Sequence, residues 1–305
     1  MAKTVTTKIH KSRQTKLLRL DIAKSDIVAA FEDLPTDVLT IADIERIFAQ
    51  NRQNWRVSRA TKVEEFLTYL LDKTQLTRAE FPFPGRKETR YVWGEVPLYS
   101  LVLSLRAKSY FSHYSAVYLH QLTEQAPKAI YLNAEQTPKP VPKGPLAQDR
   151  IDVAFRSRQR ITTNIGQYGE FKIHLLSGKF TNQLGVVDFP LSENYKVRVT
   201  DLERTLIDIA VRPLYAGGPF EVLKAYRLAK PYASINRLTA TLKRLEYVYP
   251  YHQAIGFYLE RAGGYPSAAI DILRKMEIKY DFYLTHQIRD PEYSKEWKLY
   301  YPKGL

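Results

Sequence analysis

The feature that most constrains this chain is a change of hydrophobic period between Leu71 and Leu76. Val63, Phe66, Leu67, Leu70 and Leu71 recur at helical spacing. Leu76–Phe81 and Glu88–Trp93 then read as two strands around a Pro82–Lys87 tip rich in turn formers. Two further helical stripes precede them. Ile27, Val28 and Phe31 follow Ser25, and Ile41, Ile44, Ile47 and Phe48 follow Thr40 and Asp43, a side-chain pair suited to a helix start. Asn51–Arg56 has no apolar period and reads as a turn, after which Ser58 is expected to cap the third helix. Three helices followed by a hairpin predict a winged helix-turn-helix over residues 1–95.

Residues 96–305 are expected to form a larger mixed α/β domain, making the chain α+β overall, with Gly94–Pro97 as the boundary. Leu98, Leu101, Val102 and Leu105 suggest a helix, and Ser112–Leu122 another. Thr137–Pro145 is a proline-rich loop. Ile151–Phe155 and Phe171–Leu176 read as strands. Thr200–Val211 reads as a helix, and the chain beyond Gly217-Gly218 as mainly helical.

The formal net charge of +14 favours a polyanionic partner, with nucleic acid the commonest. The charge is unevenly spread. Acids and bases nearly balance between Asp21 and Gly94, so any footprint there has to be a focused patch. No acid occurs between Arg46 and Val63, where Arg52, Arg56, Arg59, Thr61 and Lys62 cluster at the approach to the third helix. A recognition helix enters the major groove by its N-terminal end, where such side chains reach bases and phosphates. Arg86 and Lys87 at the hairpin tip, with Arg90 behind them, are candidates for backbone or minor-groove contacts. Lys3, Lys8, Lys11, Arg13, Lys16 and Arg19 precede the first acid and read either as a phosphate-contacting arm or as a solvated tail. A basic face on a protein-binding module is the other reading of the whole pattern.

Enzyme signatures are weak. With no cysteine, disulfides, thiolate zinc sites and cysteine nucleophiles are excluded. No phosphate-binding Walker loop, HExxH or GxSxG occurs. Asp152 with Glu170 and Lys172 loosely matches the carboxylates and lysine of metal-dependent nucleases, which is the alternative reading. Arg204 and Asp208, four apart, are expected to form a structural pair on a helix surface. The expectation is a protein that is not an enzyme and needs neither cofactor nor metal. The N-terminus lacks a signal-peptide core and no apolar run would span a bilayer, which suggests a cytoplasmic protein with no membrane partner.

Three blocks carry a family resemblance. They are Tyr110-Phe111-Ser112-His113-Tyr114-Ser115-Ala116 with Leu119-His120-Gln121-Leu122, then Val199-Thr200-Asp201-Leu202-Glu203-Arg204-Thr205-Leu206-Ile207-Asp208, then Tyr215-Ala216-Gly217-Gly218. Gln253–Glu260 adds to them. With these the chain resembles the AbiEi antitoxins of type IV toxin–antitoxin systems, which act in abortive phage infection. The resemblance implies a two-domain repressor whose N-terminal domain binds inverted repeats in double-stranded DNA upstream of its own operon. It also implies a C-terminal domain that counters a nucleotidyltransferase-like toxin without forming a stable complex. It carries over no catalytic residue.

Overall fold

A computed structural model describes residues 17–138 and 144–305, so the basic arm up to Lys16 and the centre of the proline-rich loop lie outside the described residues. The chain is a mixed α/β protein that divides into two compact units after Leu105.

In the first unit the elements run α1 (Lys24–Glu32), β1 (Val38–Leu39), α2 (Ile41–Asn51), α3 (Val63–Lys73), β2 (Leu76–Phe83), β3 (Arg86–Trp93) and α4 (Leu98–Leu103). Helix α2 starts where the sequence indicates. Thr40 Oγ1 accepts the Asp43 N–H at 3.3 Å, and the Asp43 carboxylate accepts the Thr40 N–H at 3.0 Å. Ser25 does not cap α1: the helix begins at Lys24, and residues 17–22 before it are already helical. The hairpin is longer than expected, with β2 and β3 paired from Leu76↔Trp93 to Phe83↔Arg86 around Pro84-Gly85. Gly85 has φ +72°, which explains glycine at the turn. Pro82 lacks a donor, and β2 is the edge strand of the β1-β3-β2 sheet, where that costs least. Strand β1, not foreseen because it is so short, pairs Val38 with Val92 and Leu39 with Tyr91.

The apolar stripes converge on one core. Phe66 stacks on Phe48 with ring centroids 4.2 Å apart, and Phe31 stacks on Trp93 at 4.8 Å. Arg90 is buried and gives both Nε and Nη2 to the Ser104 carbonyl, at 3.3 and 3.0 Å. That bond ties α4 to β3, so the unit extends past Gly94–Pro97.

The second unit is built on a six-stranded sheet in the order β6-β7-β5-β4-β9-β8. Its strands are β4 (Tyr110–Phe111), β5 (Ala129–Glu135), β6 (Ile165–Tyr168), β7 (Phe171–Gly178), β8 (Val186–Pro190) and β9 (Lys196–Thr200). Strands β5 and β7 pair in parallel, as do β4 and β9, while the hairpins β6–β7 and β8–β9 are antiparallel. Helices α5 (Tyr114–Leu119), α6 (Gln148–Arg156), α7 (Leu202–Val211), α8 (Pro219–Ala229), α9 (Ile235–Leu245), α10 (Tyr251–Ala262) and α11 (Ser267–Arg274) complete it. Ile151–Phe155 lies within α6 and is not a strand. Ile151 and Phe155, four apart, are buried on one helical face while Val153 between them is 68% exposed, so the period is helical. The chain also ends differently from expectation, in a small sheet of β10 (Phe282–Tyr283), β11 (Pro291–Ser294) and β12 (Leu299–Pro302).

Trp297, fully buried, lies over Gly256 in the middle of α10, and its indole N–H donates to Glu260 at 2.6 Å. A Cβ on Gly256 would sit 2.2 Å from the indole ring. Gly256→Ala is therefore expected to destabilise the protein by about 1–3 kcal/mol despite alanine's better helix propensity, because overpacking a dense core displaces its neighbours. The measurement is a urea unfolding midpoint, and an unchanged midpoint would show that the indole can move aside.

Candidate nucleic-acid interface

The acid-poor segment between α2 and α3 folds differently from the sequence reading. Helix α3 begins at Val63, while Ser58 closes a separate turn, accepting the Ala60 N–H on its hydroxyl at 3.2 Å and the Thr61 N–H on its carbonyl at 3.0 Å. Arg59, Thr61 and Lys62 therefore approach the helix and do not form its first turn. That first turn carries Glu64 and Glu65. Glu65 accepts the Lys62 N–H at 2.9 Å, satisfying one of the donors left open at a helix start. The outer face of α3 presents Glu64, Thr68 and Asp72, and its one cation is Lys73 in the last turn, so the basic side chains gather at its N-terminal approach.

The eight candidate residues separate into three groups. Arg52, Thr61 and Arg90 are structural. Arg52 packs its guanidinium 4.4 Å from the Phe48 ring centroid and donates to the carbonyls of Arg59 and Thr61 at 3.2 and 2.9 Å. It clamps the turn in place of reaching outward. Thr61 is 2% exposed. Arg90 is committed to Ser104 and to the Thr89 carbonyl. Their types suited DNA, but no local pattern distinguishes an arginine that braces its own backbone from one that faces solvent. Arg86 and Lys87 occupy the hairpin tip in ion pairs, Arg86 with Glu88 at 3.1 Å and Lys87 with Glu80 at 2.6 Å. Both pairs are partly exposed, so solvent screening makes them weak.

Arg56, Arg59 and Lys62 are exposed. Arg56 and Arg59 line a hollow with Gln50, Gln53 and the bracing Arg52 at the C-terminal end of α2. Arg56 has φ +51°, so the chain reverses there and brings Arg59 back beside α2. Arg52 then fixes the carbonyls of Arg59 and Thr61, giving the three exposed cations a rigid base.

In the second unit the Arg204–Asp208 pair is buried and not on the surface. The Arg204 Nε–Asp208 Oδ1 distance is 2.7 Å, with side chains 5% and 7% exposed. Arg204 also donates to the Leu184 carbonyl at 2.8 Å. Burial pushes the Asp208 carboxyl above its usual range against the pull of Arg204. Beside them Glu135 accepts Tyr110 Oη at 3.1 Å, the Thr181 N–H at 3.0 Å, and the Thr181 hydroxyl. Burial opposes its charge, yet these bonds hold its carboxyl below the usual range. Asp201 caps α7 by accepting the Arg204 N–H at 2.8 Å, and Glu203 accepts the Ser234 N–H at 2.8 Å. The conspicuous charged block is thus an internal scaffold.

The residues of the nuclease alternative lie on different elements. Asp152 is on α6, bound by Gln148 at 2.8 Å and Tyr283 at 3.2 Å, while Glu170 and Lys172 are exposed on the β6–β7 hairpin. Among the described residues no three His, Asp or Glu side chains are grouped as a metal site requires. Among the described residues no helix is long and apolar enough to cross a membrane.

No family model matches the chain, and no curated protein matches it. Among solved structures the chain is similar to the RV2827C protein from Mycobacterium tuberculosis. The two share 14% identity over 91% of this chain and 90% of that one, with a TM-score of 0.56. The likeness is one of fold. It spans both units and assigns no chemistry to either.

Proposed function

We propose that this chain is a DNA-binding transcriptional autoregulator and antitoxin of the AbiEi kind. Its first unit is read as a winged helix-turn-helix. The element order α1-β1-α2-α3-β2-β3, with β1 closing the sheet against β3, supports that reading. Its partner is double-stranded DNA carrying inverted repeats upstream of its own operon. The second unit counters a nucleotidyltransferase-like toxin without a stable complex, and the site of action is the cytoplasm. The observation that carries the DNA-binding part is the trio Arg56, Arg59 and Lys62, exposed in an acid-free segment at the N-terminal approach to α3. A net charge of +14 supplies the long-range attraction.

The direct test is a mobility shift of the full chain on the DNA upstream of its own gene, against a scrambled duplex of equal length. Equal affinity for the two would remove the operator reading. Co-expression with the neighbouring gene tests the antitoxin part separately, since rescue of growth needs no DNA measurement. The basic arm gives a further expectation. If Lys3, Lys8, Lys11, Arg13 and Lys16 contact phosphates, deleting residues 1–16 flattens the salt dependence by about 0.9 in logarithmic slope for each phosphate no longer neutralised. An identical slope would make the arm a solvated tail.

A further inference from the structure

Two of the sequence blocks in the second unit converge on a row of rings that the proposed function does not use. Arg212, at the end of α7, holds its guanidinium 6.0 Å from the Tyr215 ring centroid. Tyr215 lies 5.4 Å from Tyr131 of β5, and Tyr131 lies 4.7 Å from His174 of β7, to which it is paired across the sheet. Lys172 is two residues before His174 on the same strand, hence on the same face, and is exposed. The order is cation, buried ring, two half-buried rings, cation. His113 adds a fourth ring, edge-on to Tyr215 at 5.3 Å.

Three of these rings are half-buried and so reach the surface: His113, Tyr131 and His174. Tyr215 is buried, and its hydroxyl accepts the Thr162 N–H at 2.8 Å, which fixes its ring. His113 has φ +53° and ψ −132°, a conformation that costs a residue with a Cβ and that tends to persist where a site requires it. Its Nδ1 lies 2.8 Å from the Ser112 hydroxyl, which sets the ring plane. Burial, with Arg212 and Arg204 nearby, pushes the His113 imidazole down to about 3, and burial with Lys172 lowers His174. Both rings are therefore neutral near pH 7, leaving the positive charge to Arg212 and Lys172 at the ends.

We propose that this row is a binding platform for single-stranded nucleic acid. Neutral rings offer faces and edges to successive bases, and every base has a π-face, so the recognition tolerates sequence. The terminal cations meet the phosphates on either side. An open row suits a strand that passes across it, and the recognition differs in kind from duplex reading by the first unit.

The test uses the full chain and the anisotropy of a short, labelled single-stranded RNA of mixed sequence at low salt. ATP and the upstream duplex serve as the other arms. Lys172→Glu with His174→Ala is expected to weaken RNA binding by about tenfold or more, with duplex binding unchanged. His174→Phe keeps a ring and is expected to retain RNA binding, which separates loss of stacking from loss of fold. Equal RNA affinity in the double variant and the wild type would overturn the platform, as would failure of the wild-type chain to bind RNA. Binding of ATP as tight as that of RNA would overturn the strand in favour of a mononucleotide. Loss of duplex binding in Arg59→Ala with Lys62→Ala, with RNA binding intact, would show the two activities to be separate, so either can fail alone.

Discussion

Replacing Arg56, Arg59 and Lys62 together by alanine is expected to weaken specific DNA binding by about two orders of magnitude or more. Each base interaction removed costs roughly 1–3 kcal/mol, and three such removals at the lower end already exceed a hundredfold. All three side chains are exposed, so the variant should unfold within about 0.5 kcal/mol of the wild type. The measurement is operator affinity at fixed salt, with a scrambled duplex as control. A parallel loss on both duplexes would mean that the trio reads phosphates alone. Unchanged operator affinity in the folded variant would remove the approach to α3 from the interface, and with it the main support for the DNA-binding reading.

The second large effect is on stability. Asp208→Ala leaves the Arg204 guanidinium buried with its Leu184 carbonyl bond but without its carboxylate, and is expected to cost about 3–5 kcal/mol. Replacing both partners, Arg204→Met with Asp208→Leu, removes the stranded charge and should cost less than the single change. Urea unfolding of the three proteins checks the order. If the double variant is the less stable, then the pair contributes net stability through the Leu184 and Thr181 bonds as well as through charge. This bears on the proposed platform because α7 leads directly into the turn that carries Arg212 and Tyr215. A weakened α7 would loosen the row of rings without touching it.

Local patterns in the sequence were sufficient for much of the first unit. The stripe containing Ile44, Ile47 and Phe48, the Thr40–Asp43 start and the hairpin around Gly85 are short-range consequences of period, capping and turn chemistry, and they sit where those rules put them. The blocks around His113, Arg204 and Tyr215 were also visible, as carriers of a resemblance and, for Arg204 with Asp208, as an expected ion pair. Tertiary structure decided the rest. Ile151–Phe155 is a short apolar run whose strand and helix readings differ only in which residues find a core, and burial of Ile151 and Phe155 on one side settled it. Whether an arginine faces solvent or braces its own fold depends on carbonyls outside its own helix or strand: Arg90 found Ser104, and Arg52 found Arg59 and Thr61, while Arg56 and Arg59 remained outside. The Arg204–Asp208 spacing specified a pair, but only the packing around α7 made it a buried one. The ring row needed β5, β7 and the turn after α7 to meet, because Tyr131, His174 and Tyr215 share no local pattern and become neighbours only when the parallel pairing of the sheet brings them together.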